Sequence, residues 1–208
     1  MNCVKRIGVY ALFLGGVIGT QGFKSTAKGE GSREGRAGAV STSTSASAPA
    51  MSEFQWSDHT KLSWEDFRGP VQAEDDQSAA ATHCGMGFKT VTDENGQPKI
   101  VVYNKFYVNK SWVRDDAKLQ EILDHEQGHF DLCELYTRKL RERMNAFDFN
   151  GSRDVRQALY DIYFEVNAAY EKRQQAYEDE TTHGIVTAQQ KKWQRMIALE
   201  MSRELAMN

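Results

Sequence analysis

Several features that would indicate a specialised class are scarce in this sequence. Three cysteines in 208 residues allow at most one disulfide within the chain. The net charge is only -3 and both signs are mixed, so no nucleic-acid surface is indicated. The uncharged apolar run over residues 7–19 is short for a membrane-spanning helix. These absences leave a domain of ordinary size, with tails, as the expectation.

The N-terminal quarter differs in composition from the rest. Lys5 and Arg6 precede the apolar run, which is typical of a secretion signal, and we predict a signal peptide over residues 1–23. An uncleaved membrane anchor is the alternative. Residues 24–51 are rich in Gly, Ser, Thr and Ala and are predicted to be a disordered linker. We therefore expect a secreted or periplasmic protein, without a stable membrane span after processing, whose folded domain covers residues 52–208.

The first half of that domain has the pattern of a β-hairpin. Residues 98–108 alternate, with Ile100, Val102 and Phe106 on one face. Residues 83–92 also fit a strand, and Asn95-Gly96 between the two can supply the positive φ angles of a tight turn. A small antiparallel sheet is predicted.

The second half is predicted to be helical. Residues 117–146 lack proline and carry one broad apolar stripe, and a second stripe covers residues 153–177 after a break at Asn150-Gly151-Ser152. Residues 178–184 interrupt the periodicity, and a last helix begins near Thr187. The short connection predicts antiparallel neighbours. The expected fold class is therefore α+β: a small antiparallel sheet, then an antiparallel pair of long helices.

The first long helix contains the pattern H-E-x-x-H. Residues four apart share one helix face, so His125 and His129 can bind one metal ion. Glu126 lies about 100° around the helix and is placed to take a proton from a water molecule. This arrangement is typical of a catalytic Zn²⁺ site and predicts a zinc metallohydrolase that acts on a peptide or protein.

Two histidines leave the metal in need of a third protein ligand. His183, in the interrupted segment before a glycine, is the candidate that we favour, and Glu171 and Glu180 are the alternatives. Glu134 lies about 180° around the helix from the first histidine of the motif and is a poor ligand. Asp131 and Glu134 are instead candidates to support the histidines by hydrogen bonds.

Removal of the leader would leave two cysteines, Cys84 and Cys133. In an oxidising compartment two cysteines suggest one disulfide. Two buried free thiols are the alternative.

Four segments carry a resemblance to a known family. They are Leu62-Ser-Trp-Glu-Asp-Phe67, Lys110-Ser-Trp112, His125-Glu-Gln-Gly-His-Phe-Asp131 with Glu134, and Glu180-Thr-Thr-His-Gly184 with Gln190 and Trp193. In these the chain resembles predicted bacterial secreted zinc-dependent proteases whose domain is otherwise of unknown function. The resemblance implies a zincin-like peptidase domain and favours His183, since T-x-H-G belongs to the family pattern. Tyr177-Glu178 departs mildly from the Tyr-Asp of that pattern.

A function of a different class also fits the residues. An exported, non-catalytic domain could hold a structural metal with four protein ligands, or use its helical hairpin to bind a partner.

Overall fold

The computed structural model describes residues 52–57, 61–72, 78–151 and 154–206, with only the backbone described for 204–206. The signal peptide and linker predicted for residues 1–51 lie outside these ranges and stay predictions. In the part of the chain that is described, no helix is both long enough and apolar enough to cross a membrane.

The strands form two small antiparallel sheets. The larger contains β1 (Glu53–Phe54), β3 (Cys84–Thr92) and β4 (Pro98–Tyr107) in the order β1-β4-β3. The smaller pairs β2 (Ala80–Ala81) with β5 (Trp112–Val113). The mixed α+β class predicted from the sequence is confirmed.

The β3–β4 hairpin follows the predicted alternation. Its register runs from Cys84 opposite Phe106 to Thr92 opposite Pro98, and alternate β4 residues from Ile100 to Phe106 are buried. The turn differs in detail from the expectation. Gly96 has a φ of 77°, but Asn95 is not among the described residues with positive φ, so only the glycine supplies a left-handed conformation.

Three helices follow: α1 (Gln120–Asn145), α2 (Val155–Thr181) and α3 (Thr187–Ala206). α1 begins three residues later than predicted, because residues 115–117 form a 3-10 turn. α2 is capped by Asp154, whose side chain accepts from the Gln157 backbone N–H. It also continues four residues beyond the predicted end, which places Glu178 on the helix instead of in a loop.

Aromatic packing joins the larger sheet to α1. The Phe106 ring of β4 lies 4.9 Å from Phe54, 5.5 Å from Phe67 and 5.4 Å from Phe130 of α1, measured between ring centroids. Phe106 and Phe130 are fully buried. Burial of one such side chain contributes about 1.5–3 kcal/mol, so this cluster fixes α1 against the sheet.

The helices α2 and α3 pack against α1, and side-chain contacts show the direction of α2 relative to α1. His125 and His129 of α1 face Glu178 and Gln174 of α2, respectively, so the two helices are antiparallel as predicted. A second core cluster lies between α1, α2 and α3 and is centred on Tyr177 and Trp193. This packing brings residues of α2 and α3 to the histidine face of α1.

Candidate metal centre

The two motif histidines lie side by side in the protein interior. His125 and His129 are fully buried, and their Nε2 atoms are 3.0 Å apart. The rings are nearly perpendicular, with an interplanar angle of 88°. The i, i+4 spacing on α1 therefore directs both Nε2 atoms to one point, as the sequence pattern requires.

Two glutamine side chains set the tautomer of these histidines. Gln190 Oε1 lies 3.1 Å from His125 Nδ1, and Gln174 Oε1 lies 2.6 Å from His129 Nδ1. The Gln174 amide nitrogen donates to the His129 carbonyl, and that of Gln190 donates to the Tyr177 hydroxyl. Because the amide nitrogens are used elsewhere, the amide oxygens face the rings and accept from Nδ1–H. Each Nε2 then presents a lone pair to the other.

Glu178 completes this group from α2. Its Oε1 lies 3.2 Å from His129 Nε2 and its Oε2 lies 3.4 Å from His125 Nε2. Burial raises the pKa of the Glu178 carboxyl, whereas the charge and Nε2–H hydrogen bonds of imidazolium forms of His129 and His125 would outweigh burial and hold that pKa well below its ordinary range. Three electron-pair donors thus converge in a buried space.

The distances fit a shared metal ion. Two atoms bound to one zinc at about 2.0–2.1 Å in tetrahedral geometry are roughly 3.3 Å apart, close to the observed 3.0–3.4 Å separations. Lone pairs at this separation repel unless a cation or proton lies between them. Two imidazoles and a carboxylate suit zinc and other borderline divalent metals. Among the described residues, His125, His129 and Glu178 are the group able to hold a metal ion.

Glu126 lies next to this group and is fully buried. Within the described residues neither of its carboxylate oxygens has a hydrogen-bond partner of good geometry. Burial raises the pKa of Glu126 to about 7, against the opposing effects of His125 and Thr82. A buried carboxylate without good hydrogen bonds lowers the stability of a fold. Carboxylates with strongly shifted pKa values are therefore more often found at functional sites.

Tyr177 explains the glycine within the motif. Its ring stacks on His125 at 4.7 Å, and its hydroxyl donates to the His125 carbonyl over 3.1 Å. A Cβ on Gly128 would lie 2.2 Å from the Tyr177 hydroxyl oxygen. The glycine therefore allows α2 to approach α1 closely at this point.

His183 lies beside the metal group and contacts its carboxylate. Its Nδ1 is 2.8 Å from Glu178 Oε2, and its side chain is 29% exposed. The donor atoms that all lie within 4.8 Å of one another belong to Glu178 and the motif histidines, without His183. Among the described residues, the group that could hold a metal ion therefore includes Glu178, and His183 as the third ligand stays a prediction.

The other predicted candidates have partners elsewhere. Glu180 accepts from the Trp193 indole N–H, and Glu171 accepts from Asn167 on its own helix. Asp131 accepts from Trp56 Nε1, and Glu134 pairs with Arg138 Nε at 2.9 Å. The hydrogen bonds to the histidine Nδ1 atoms come from glutamines rather than from these two carboxylates.

The expected disulfide is not formed. Cys84 and Cys133 are buried free thiols, which was the alternative. Cys84 Sγ lies 3.6 Å from the Tyr170 hydroxyl and 3.8 Å from the His129 carbonyl oxygen, so its thiol is engaged by polar neighbours. Contact with Cys84 and burial raise the pKa of the Cys133 thiol well above its ordinary value.

Glu178, Gln174 and Gln190 received no site role from the sequence, although Glu178 and Gln190 were named with the family pattern. The segment from Glu178 to Gly184 is polar and was interpreted as a loop, so its first residue was not treated as helical. One signal was present, because the buried α2 positions continue at helical spacing through Tyr170, Gln174 and Glu178. Extending the stripe through polar residues would have placed Glu178 opposite the motif.

A separate cavity of about 460 Å³ lies on the other side of α1. Leu123, Gln127 and Asp131 of α1 line it, together with Trp56 and Ile197. These α1 positions lie about 160–240° around the helix from His125, so the cavity faces away from the metal group.

The fold and the site define an α+β domain with a buried two-histidine, one-carboxylate group capable of binding a metal ion. Residues 64–184, more than half of the chain, match the family described as "Bacterial protein of unknown function (DUF922)", and the chain belongs to that family. No curated protein and no solved structure matched the chain.

Proposed function

We propose that this protein is a zinc-dependent hydrolase, of the zincin-like kind, that cleaves peptide bonds. The observation that carries the proposal is the convergence of His125 Nε2, His129 Nε2 and the Glu178 carboxylate in one buried space. Three protein ligands of this type leave a coordination position for water or substrate, as catalytic zinc sites require. When bound, zinc supplies Lewis-acid catalysis to a hydrolytic reaction.

The protein residues would divide the remaining work. Gln190 and Gln174 hold the imidazoles in the tautomer that exposes Nε2. Glu126 is the general base: a carboxylate oxygen accepts the proton of the attacking water and delivers it to the leaving amine. Within the described residues neither oxygen has a hydrogen bond of good geometry, so both can take part in this transfer.

Burial of the site is also compatible with a competing function, in which the metal is structural. His125, Glu126 and His129 are fully buried, which is also expected for a structural metal in a non-catalytic domain. The position of Glu126 argues for catalysis, since a structural site gains nothing from an adjacent buried carboxylate.

Metal analysis tests the ligands. Glu178→Ala should remove stoichiometric zinc, whereas Glu171→Ala, on the same helix with its carboxylate hydrogen-bonded to Asn167, should keep it. Wild-type protein that takes up no zinc would refute the metal site. Equal zinc content in both variants would remove Glu178 from the ligand set.

Peptide hydrolysis tests the reaction. Glu126→Gln should bind zinc as wild type does and should not cleave a peptide library that the wild type cleaves. Zinc binding without any cleavage by the wild type would favour the structural function. Cleavage by Glu126→Gln at the wild-type rate would exclude Glu126 as the base.

A further inference from the structure

The Tyr177 hydroxyl belongs to a chain of hydrogen bonds that joins α1, α2 and α3. It donates to the His125 carbonyl of α1 over 3.1 Å and accepts from Gln190 Nε2 of α3 over 2.7 Å. The same Gln190 side chain places its Oε1 3.1 Å from His125 Nδ1. All three side chains are buried, so these hydrogen bonds lie away from bulk water.

The single proton of this hydroxyl determines which end of the Gln190 amide it can meet. A tyrosine hydroxyl has one proton to donate, and here that proton goes to the His125 carbonyl, which can only accept. Toward Gln190 the hydroxyl therefore accepts, and the amide has to present its NH₂ group. The amide oxygen is then left facing His125 Nδ1, where it accepts the Nδ1–H. The opposite orientation of the amide would place its oxygen against a hydroxyl lone pair.

A second acceptor near Gln190 Nε2 is more distant. The Asp124 carbonyl oxygen lies 3.5 Å from this nitrogen, beyond the usual N–H···O range of about 2.7–3.2 Å. The 2.7 Å contact with the Tyr177 hydroxyl is therefore the one that we expect to set the orientation of the amide.

The other motif histidine offers an internal comparison. Gln174 Oε1 lies 2.6 Å from His129 Nδ1, and Gln174 Nε2 donates to the Tyr170 hydroxyl over 2.9 Å. The same nitrogen also donates to the His129 carbonyl over 3.0 Å, and a carbonyl oxygen can only accept. That carbonyl orients the Gln174 amide whether or not a hydroxyl is present. The two tyrosine hydroxyls are therefore alike in their glutamine contact but differ in how much depends on them.

We propose that Tyr177 is a positioning residue: its hydroxyl orients the Gln190 amide, which keeps the proton of His125 on Nδ1 and leaves Nε2 free to bind a metal ion. The inference rests on the proposed metal site and deepens it. Without the hydroxyl the amide can rotate, and its NH₂ group then favours the tautomer that carries the proton on Nε2. That tautomer cannot bind the metal through Nε2, so the binding-competent fraction and the affinity both fall.

Two tyrosine-to-phenylalanine variants of the full chain test this role. Each removes one buried hydroxyl that accepts from a glutamine and retains the aromatic ring, including the stack of Tyr177 on His125 at 4.7 Å. Zinc affinity, measured by competition with a chromophoric chelator, should fall about 10–100-fold in Tyr177→Phe and only slightly in Tyr170→Phe. Equal losses in the two variants would overturn the proposal, because the removal of any buried hydroxyl would then explain both.

Proton–nitrogen correlation NMR of the isotope-labelled, metal-free chain reports the position of the proton directly. At alkaline pH, where imidazoles are neutral, His125 and His129 should both carry a proton on Nδ1 in the wild type and in Tyr170→Phe. In Tyr177→Phe a fraction of His125 should carry its proton on Nε2 instead, while His129 is unchanged. An unaltered His125 tautomer in Tyr177→Phe would contradict the positioning role, even if a packing defect had lowered the zinc affinity.

A variant of the glutamine separates orientation from packing. The carboxylate of Gln190→Glu presents an oxygen to His125 Nδ1 in either orientation. Tyr177→Phe should therefore reduce zinc affinity much less in the Gln190→Glu background than in the wild type, and an equal reduction in both backgrounds would exclude the proposed role. A wild type that binds no zinc would instead refute the metal site, and the NMR comparison of the metal-free chain would still decide the role of Tyr177.

Discussion

Gly128 offers a sharp test of how α2 packs on the motif helix. In an exposed helix, Gly→Ala stabilises by about 1 kcal/mol. Here the new Cβ would lie 2.2 Å from the Tyr177 hydroxyl oxygen and 2.7 Å from Cζ, more than 1 Å inside ordinary contact at 3.4 Å for the nearest atom. Tyr177 is fully buried, so it cannot swing into solvent.

The expected sign follows from adding these effects. Overpacking a close-packed site costs about 1–3 kcal/mol. Moving Tyr177 also strains its hydrogen bonds to His125 and from Gln190, each worth about 1 kcal/mol. The sum exceeds the propensity gain, and Gly128→Ala should lower the free energy of unfolding by about 1–4 kcal/mol. Urea denaturation with chelator present measures this without the contribution of bound metal.

Two further variants isolate the cause. Ala168→Gly, at an exposed position of α2, measures the helix-propensity difference in this protein and should cost about 1 kcal/mol. In a Tyr177→Phe background, Gly128→Ala should cost less than in the wild type, because the nearest clashing atom is gone. A Gly128→Ala variant as stable as wild type, or an equal cost in both backgrounds, would refute the packing argument.

Three other outcomes are expected. Burial lowers the pKa of His83 from 6.5 to about 4, so the unfolded chain takes up a proton there before the folded protein does, and up to about 3 kcal/mol of stability is lost as the pH falls from 6.5 toward 4. In His83→Gln the free energy of unfolding, measured with urea, should depend less on pH over that range. A pH dependence equal to that of the wild type would contradict this. Glu134→Leu removes the 2.9 Å ion-pair partner of buried Arg138 and should lower the free energy of unfolding by about 3–5 kcal/mol, far more than Glu165→Ala, which removes the exposed partner of Arg143. Equal shifts in the denaturation midpoint of the two variants would contradict this difference. Zinc should raise the melting temperature increasingly with concentration, a shift that a chelator reverses, and scanning calorimetry that shows no such dependence would count against the site.

The parts of the fold that sequence could predict are those where one physical pattern dominates. Ile100 and Phe106 belong to an alternating apolar pattern, which is sufficient to predict the strand β4. His125 and His129 have a spacing that only a helix brings to one face. In both cases the apolar or ligand pattern agrees with the local backbone preference.

The end of α2 could not be predicted in the same way. Glu178 and Thr181 are polar, and polar residues normally face solvent at helix ends. Here they are buried, because the motif histidines compensate the carboxylate and the Thr181 hydroxyl donates to the Tyr177 carbonyl over 2.6 Å. That compensation comes partly from another helix, so no local pattern reveals it.

The contact between Gln190 and His125 restricts the number of residues that can separate Gly184 from Gln190. Gln190 follows Gly184 by six residues, and both touch His125. One residue inserted between them would rotate α3 by about 100° and remove the glutamine from the imidazole. It would also turn Trp193 away from Tyr177, 5.4 Å from it now. The exposed loop between β3 and β4 has no such constraint, so insertions belong there and not before α3.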